Sequence, residues 1–255
     1  MNNLPARTGW DWLKQGIGLF RKQPAALTTV LFANILFSIA LSALPVIGPV
    51  LAVVLIPSFS MAFMQACLMI ENGVRVTPAV LLTGFRQPAL LALCKVGLIY
   101  FGVSVVLMIV TQLAGVPDLV ERMAKSTDPK NPPAFSGSDM AALLGTFLLN
   151  VAAMVTLFFA APLTYWKQMS AGKATFYSFF GVVRSARVFL LLLAAWFGIF
   201  FGVLLVTVQI FGNANVGRVV IMWLILLFVL LLQCAMYSGY RTIFGTPLEK
   251  DVQPA

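Results

Sequence analysis

The sequence predicts an all-α, polytopic membrane protein with six transmembrane helices and three interfacial amphipathic helices, arranged as a threefold internal repeat. Three observations lead there. Of 255 residues, 60% are hydrophobic and 10% charged, against roughly 45–50% and about 25% in soluble domains. Mean hydropathy is +0.96. Six stretches are long enough to cross about 30 Å of hydrocarbon at 1.5 Å per residue. In lipid each backbone amide needs a partner inside its own segment or a closed barrel, and the short alternating segments of a barrel are missing, so the spans are helices.

In chain order, the predicted spans are 25–43, 46–70, 88–114, 140–165, 188–211 and 219–240. The first two form a tight hairpin, because only the Leu44-Pro45 corner separates them. Ahead of the first span, Trp10, Leu13, Ile17 and Phe20 recur at helical spacing, with Asp11, Lys14, Gln15 and Arg21 in other directions. Thr8 and Asp11 resemble a capping box. Ahead of the third span, Thr77 is placed to cap a helix that has Pro78 in its first position and continues through Val80, Leu81, Gly84 and Phe85. Ahead of the fifth, a helix from about Thr175 puts Phe176, Phe179, Phe180 and Val183 on one stripe. Each is too short to cross and is expected along the interface.

These short helices end on related turns. They read Phe20-Arg21-Lys22-Gln23-Pro24, Phe85-Arg86-Gln87-Pro88 and Val183-Arg184-Ser185-Ala186-Arg187, the last without a proline. Aromatic or branched groups anchor in the acyl boundary, Arg reaches the phosphates, and Pro starts a new helix. Three repeats of surface helix plus hairpin follow, all in a single membrane domain over residues 1–255. The longest polar interruption, the outer loop 116–139, is rich in Pro, Ser and Gly and too short to bury a core. A short helix over 118–125 is expected at its start.

Charge fixes the expected orientation. With the N-terminus in the cytoplasm, thirteen of the seventeen Lys and Arg fall inside, leaving Arg122, Lys125, Lys130 and Arg218 outside. Acidic residues divide evenly, with Asp11, Glu71, Glu249 and Asp251 inside and Asp118, Glu121, Asp128 and Asp139 outside. The whole net charge of +9 thus faces one leaflet, which places both termini in the cytoplasm. The same asymmetry makes membrane lipids with anionic headgroups the expected partners, contacted by Arg21, Lys22, Arg86, Arg184 and Arg187. A nucleic-acid partner would need a wetted basic face, and none is expected.

Little in the chain resembles reactive machinery. There is no His, and Cys67, Cys94 and Cys234 lie in apolar runs without metal-ligand spacing, so neither metal nor cofactor is expected. No carboxylate falls at mid-depth, which disfavours proton coupling. Paired catalytic carboxylates, a Walker A sequence and GxGxxG are absent. No enzyme is expected. Among polar residues inside spans, Lys95 stands out, with Gln65 and Asn150 as companions of an intramembrane polar site. Lys95 can instead snorkel to the headgroups or pair with Glu71. Pro57 and Pro162 are candidate kinks. Ala194, Gly198 and Gly202, and likewise Ser58, Ala62 and Ala66, form small-residue stripes suited to helix packing within the chain or in a homo-oligomer.

Both ends of the chain carry a resemblance. Gly9-Trp10-Asp11-Trp12-Leu13 with Gly18-Leu19-Phe20-Arg21 and Pro24 looks like the opening of an uncharacterised family of bacterial six-span inner-membrane proteins. The tail Tyr237-Ser238-Gly239-Tyr240-Arg241-Thr242-Ile243-Phe244 is similar to that family's ending, with Thr242 where an acidic residue is expected. The resemblance implies a bacterial inner membrane and adds no activity. Two functional readings result: a non-enzymatic component that binds anionic lipid or a partner protein through its basic inner face, or a small-solute channel or carrier with a site between repeats.

Overall fold

The computed structural model describes residues 4–45, 47–125, 136–212 and 215–247. All regular structure among them is helical. The elements are α1 (Thr8–Lys22), α2 (Pro24–Ser42), α3 (Ile47–Glu71), a 3₁₀ helix (Pro78–Phe85), α4 (Ala89–Leu113), α5 (Val116–Lys125), α6 (Gly137–Leu157), α7 (Ala160–Trp166), α8 (Ala171–Arg184), α9 (Ala186–Phe211) and α10 (Asn215–Phe244). Six segments are long and apolar enough to span, namely α2, α3, α4, the α6–α7 pair, α9 and α10. The predicted spans match them to within four residues at either end. Of the predicted outer loop, the first part forms α5, while residues 126–135 lie outside the described residues.

Pro162 explains why the fourth span is two helices. Its nitrogen carries no hydrogen to bond the carbonyl of Phe158, and its ring crowds that carbonyl. The chain accordingly turns between Leu157 and Ala160. Pro57, in contrast, sits inside a continuous α3. The start of α6 is fixed by a capping box, in which Ser136 Oγ accepts from the Asp139 amide at 3.2 Å and the Ser136 amide donates to Asp139 Oδ2 at 3.1 Å.

Three hairpins make the bundle, and each short element leans on the hairpin before it in cyclic order. The helix α1 packs on α10 and α9, the 3₁₀ helix on α3, and α8 on α7 and α6. The three elements differ too much in form for the structure to establish the repeat that their turns suggest. The core lies toward one end. From Met61 to Ile70 every residue of α3 is buried, as are the stretch Cys234–Tyr240 of α10 and most of α7. The opposite end is splayed. No residue of α6 is fully buried, and Leu113 at the end of α4 is 83% exposed. Hydrocarbon solvates such side chains as well as a protein core does, so helices that span lipid need no packing there.

Several local expectations are corrected. The buried face of α1 is Gly9, Trp12, Leu13, Gly16 and Leu19, whereas Trp10 and Ile17 face outward. Close approach decides the matter: a Cβ on Gly16 would lie 2.6 Å from the Ala235 amide nitrogen, so only glycine lets α1 press onto α10. No side-chain cap forms at Thr8, because a turn over Pro5 to Arg7 already supplies carbonyl acceptors to the first amides of the helix. The second short element is 3₁₀, not α, and turns only Val80, Thr83 and Gly84 fully inward. It runs along α3 until Gly84 rests on the backbone of Ser58, and Phe85 packs on Phe59 and Phe37. The third, α8, begins at Ala171 and exposes Phe176, Phe179, Phe180 and Val183, while Ala174, Ser178 and Val182 turn inward. Of the small-residue stripes, Ser58-Ala62-Ala66 is buried, but Gly198 and Gly202 meet nothing in this chain, so that stripe is not used for packing within it.

Candidate functional site at the packed end of the bundle

At the packed end of the bundle, α3, α7 and α10 meet around a set of polar groups. Trp166 Nε1 donates to Gln65 Oε1 at 3.2 Å, both buried. The Trp166 ring packs edge-on against Tyr237 and tilted against Tyr240. One turn beyond Cys67, the carboxylate of Glu71 at the end of α3 accepts a 2.6 Å bond from the Tyr237 hydroxyl and forms an ion pair with Arg241. Tyr237 and Arg241 reach it together because they are four residues apart on one helix face. Cys67 and Cys234 face each other with their sulfurs 3.8 Å apart and remain free thiols.

The two ends of the chain close over this cluster. Trp12 Nε1 donates to Thr242 Oγ1 at 3.0 Å, and the Trp12 ring lies on Gly239. Position 242 needs only an oxygen acceptor for the indole, which a hydroxyl provides as a carboxylate would. Lys167 donates to the carbonyl of Phe244. Gln23, between α1 and α2, clamps the strand that leaves α3: its Nε2 donates to the Val74 carbonyl at 3.0 Å and its Oε1 accepts from the Val76 amide at 3.1 Å.

The three residues expected to share an intramembrane site are not gathered. Gln65 is in the core with Trp166. Lys95 is exposed on α4. Glu71, its suggested partner, is bound by Arg241 and Tyr237 instead, and no carboxylate among the described residues pairs with Lys95. Asn150, on α6, donates to the Thr146 carbonyl and lines a shallow cleft with Ser104, Thr111 and Gln112 of α4. That level of α4 is about 18 Å from Lys95 at 1.5 Å per residue.

The five expected headgroup contacts, Arg21, Lys22, Arg86, Arg184 and Arg187, are all exposed, and they lie at the starts of α2, α4 and α9. Arg184 and Arg187 flank a cleft of about 340 Å³ with Ser185 and Leu4. Arg86 follows Phe85, whose ring packs on Phe37 and on Phe59, twelve residues before the end of α3. The Glu71 latch, the Trp12–Thr242 bond and the Gln23 clamp were not foreseen from the sequence. The spacing of Tyr237 and Arg241 on one buried face was the available signal for the first of them.

Six long apolar helices, with exposed cations at the junctions before α2, α4 and α9, define an integral membrane protein of the polytopic α-helical class. Over 251 residues the chain is 31% identical to a probable inner membrane protein of Burkholderia thailandensis, a match that takes in 95% of this chain and 93% of the relative. The chain belongs to that family of bacterial inner-membrane proteins. No family model matches the sequence. No solved structure matches it either.

Proposed function

We propose that the protein is a non-enzymatic component of the inner membrane, with both termini in the cytoplasm, that gathers anionic lipid headgroups at three helix junctions. The observation that supports this reading is the exposure of Arg21, Lys22, Arg86, Arg184 and Arg187 at three separate helix junctions. Glu71, the carboxylate at the end of α3, is already held by Arg241. A cation near an anionic leaflet contributes about 1 kcal/mol. Three sites distributed around one bundle therefore bias the composition of the surrounding lipid. The carrier reading depends on Lys95, Gln65 and Asn150 acting together, and their separation favours the lipid reading over it.

The test is lipid enrichment. Protein purified from nanodiscs of mixed phosphatidylcholine and phosphatidylglycerol is weighed by native mass spectrometry for retained lipid. The wild type retains phosphatidylglycerol beyond its share in the disc, and the variant Arg21→Gln, Arg86→Gln, Arg184→Gln retains both lipids in proportion. Equal enrichment in the two proteins overturns the reading.

A further inference from the structure

A broadly open groove between α2, α3 and α10 has a volume of about 470 Å³. Asn34, Ser38 and Ser42 line it at four-residue intervals along one face of α2, and Ser60 and Gln233 line it from the other two helices. Ile35, Ile39, Ile56, Phe59 and Phe63 complete its walls. Ile39 and Ile56 are exposed, so the groove opens sideways where α2 and α3 face hydrocarbon.

The hydrogen bonding of these groups is incomplete. The Ser42 hydroxyl donates back to the Ser38 carbonyl, and Asn34 Nδ2 reaches the Phe59 carbonyl only at 3.5 Å. Ser60 Oγ and Gln233 Oε1 are buried atoms with no partner among the described residues. Unpaired polar atoms are costly in a medium without water, so Gln233 Oε1 calls for a donor and the Ser60 hydroxyl for a partner of either sense. No charged residue lines the groove. A phosphate or ammonium headgroup would lose its hydration there without a counter-charge, so the matching ligand is neutral. Its head carries a hydroxyl to donate to Gln233, and its tail runs along the isoleucine walls and leaves through the open side.

We propose that this groove binds a neutral lipid alcohol of the diacylglycerol type, headgroup inward. The free hydroxyl of the glycerol donates to Gln233 Oε1, Ser60 and the amide of Asn34 serve the ester oxygens, and the acyl chains continue into the bilayer. The site is independent of the cationic junctions, shares no residue with them, and takes a ligand of opposite electrostatic character.

The probe is a diacylglycerol bearing a photoreactive diazirine on one acyl chain, added to the full chain in phosphatidylcholine nanodiscs. Irradiation followed by peptide mapping labels residues 34–42 of α2 and 56–63 of α3. Excess 1,2-dioctanoylglycerol competes, whereas its 3-acetyl ester, which has no hydroxyl to donate, competes about tenfold less well, as loss of one buried hydrogen bond implies. Gln233→Leu and Ser60→Ala each lower the labelling by a similar factor, with unfolding midpoints measured alongside. Should Gln233→Leu fail to fold, the Ser60 variant and the ester comparison still decide. Equal competition by the ester, labelling spread evenly over the lipid-facing helices, or full labelling of folded variants overturns the proposal.

Discussion

The indole of Trp166 donates to the side-chain oxygen of Gln65 across 3.2 Å, both groups buried, and this bond joins α7 to α3 where they meet α10 at the packed end of the bundle. Removing either partner takes this bond from the other. Trp166→Phe leaves the Gln65 amide oxygen without the indole donor, and Gln65→Leu removes the acceptor of the indole N–H. Each costs about 1–3 kcal/mol. The double variant costs less than the sum of the two, since it removes both polar groups together. Thermal unfolding of the four proteins in one detergent measures the cycle, and strict additivity would show that the bond does not form.

The six spans were legible in the sequence because apolar length alone decides which segments cross a bilayer, and nothing else competes for a run such as residues 219–232. The short elements were legible only as elements. The stripe Trp10, Leu13, Ile17 and Phe20 reads as the apolar side of an interfacial helix and leaves open which side packs on the bundle; α1 turns Trp12, Leu13 and Gly16 inward. The deciding quantity was how closely two backbones can approach, which is set by glycine and invisible to hydrophobic periodicity. Lys95, Gln65 and Asn150 looked alike as polar residues within spans. Their fates diverged on tertiary neighbours: a tryptophan for one, a local backbone carbonyl for another, and none of the described carboxylates for the third. Glu71 was read as a partner for Lys95, and it pairs with Arg241, 170 residues away in the chain but adjacent in space.

Gly16 and Gly18 differ by two residues and by everything that matters to packing. A Cβ at Gly16 meets the backbone of α10, and one at Gly18 meets nothing within 4 Å. Gly16→Ala therefore forces α1 away from Ala235 and costs about 1–3 kcal/mol of overpacking. Gly18→Ala is neutral or slightly stabilising, since alanine is the better helix former. Limited proteolysis within α1 provides the measurement. Faster cleavage in the first variant alone is expected, and equal rates would refute the contact.

The Cys67 and Cys234 sulfurs, 3.8 Å apart, put α3 and α10 in direct register at the level of Gln65. Mild oxidation of the membrane-embedded protein with copper phenanthroline should join them and leave Cys94 free. Intact mass then falls by about 2 Da, the two thiol hydrogens lost when a disulfide forms. The mapped linkage contains both peptides. Cys67→Ser and Cys234→Ser each abolish the change. Formation of intermolecular dimers through these residues, with no internal bridge, would contradict the packing of α3 on α10.

Orientation follows from where the cations gather. The starts of α2, α4 and α9 carry Arg21, Lys22, Arg86, Arg184 and Arg187, whereas the predicted outer segments balance four bases with four acids. Translocation machinery retains short basic segments on the cytoplasmic side. An alkaline phosphatase reporter placed after Ala255 is therefore inactive, and the same reporter inserted after Ser136, at the start of α6, is active. Replacing Arg21, Lys22, Arg184 and Arg187 with Gln weakens the bias and raises the fraction of molecules with an active C-terminal reporter. Phosphatase activity after Ala255 in the unaltered protein would place the basic junctions in the periplasm and remove the anionic cytoplasmic leaflet as their partner.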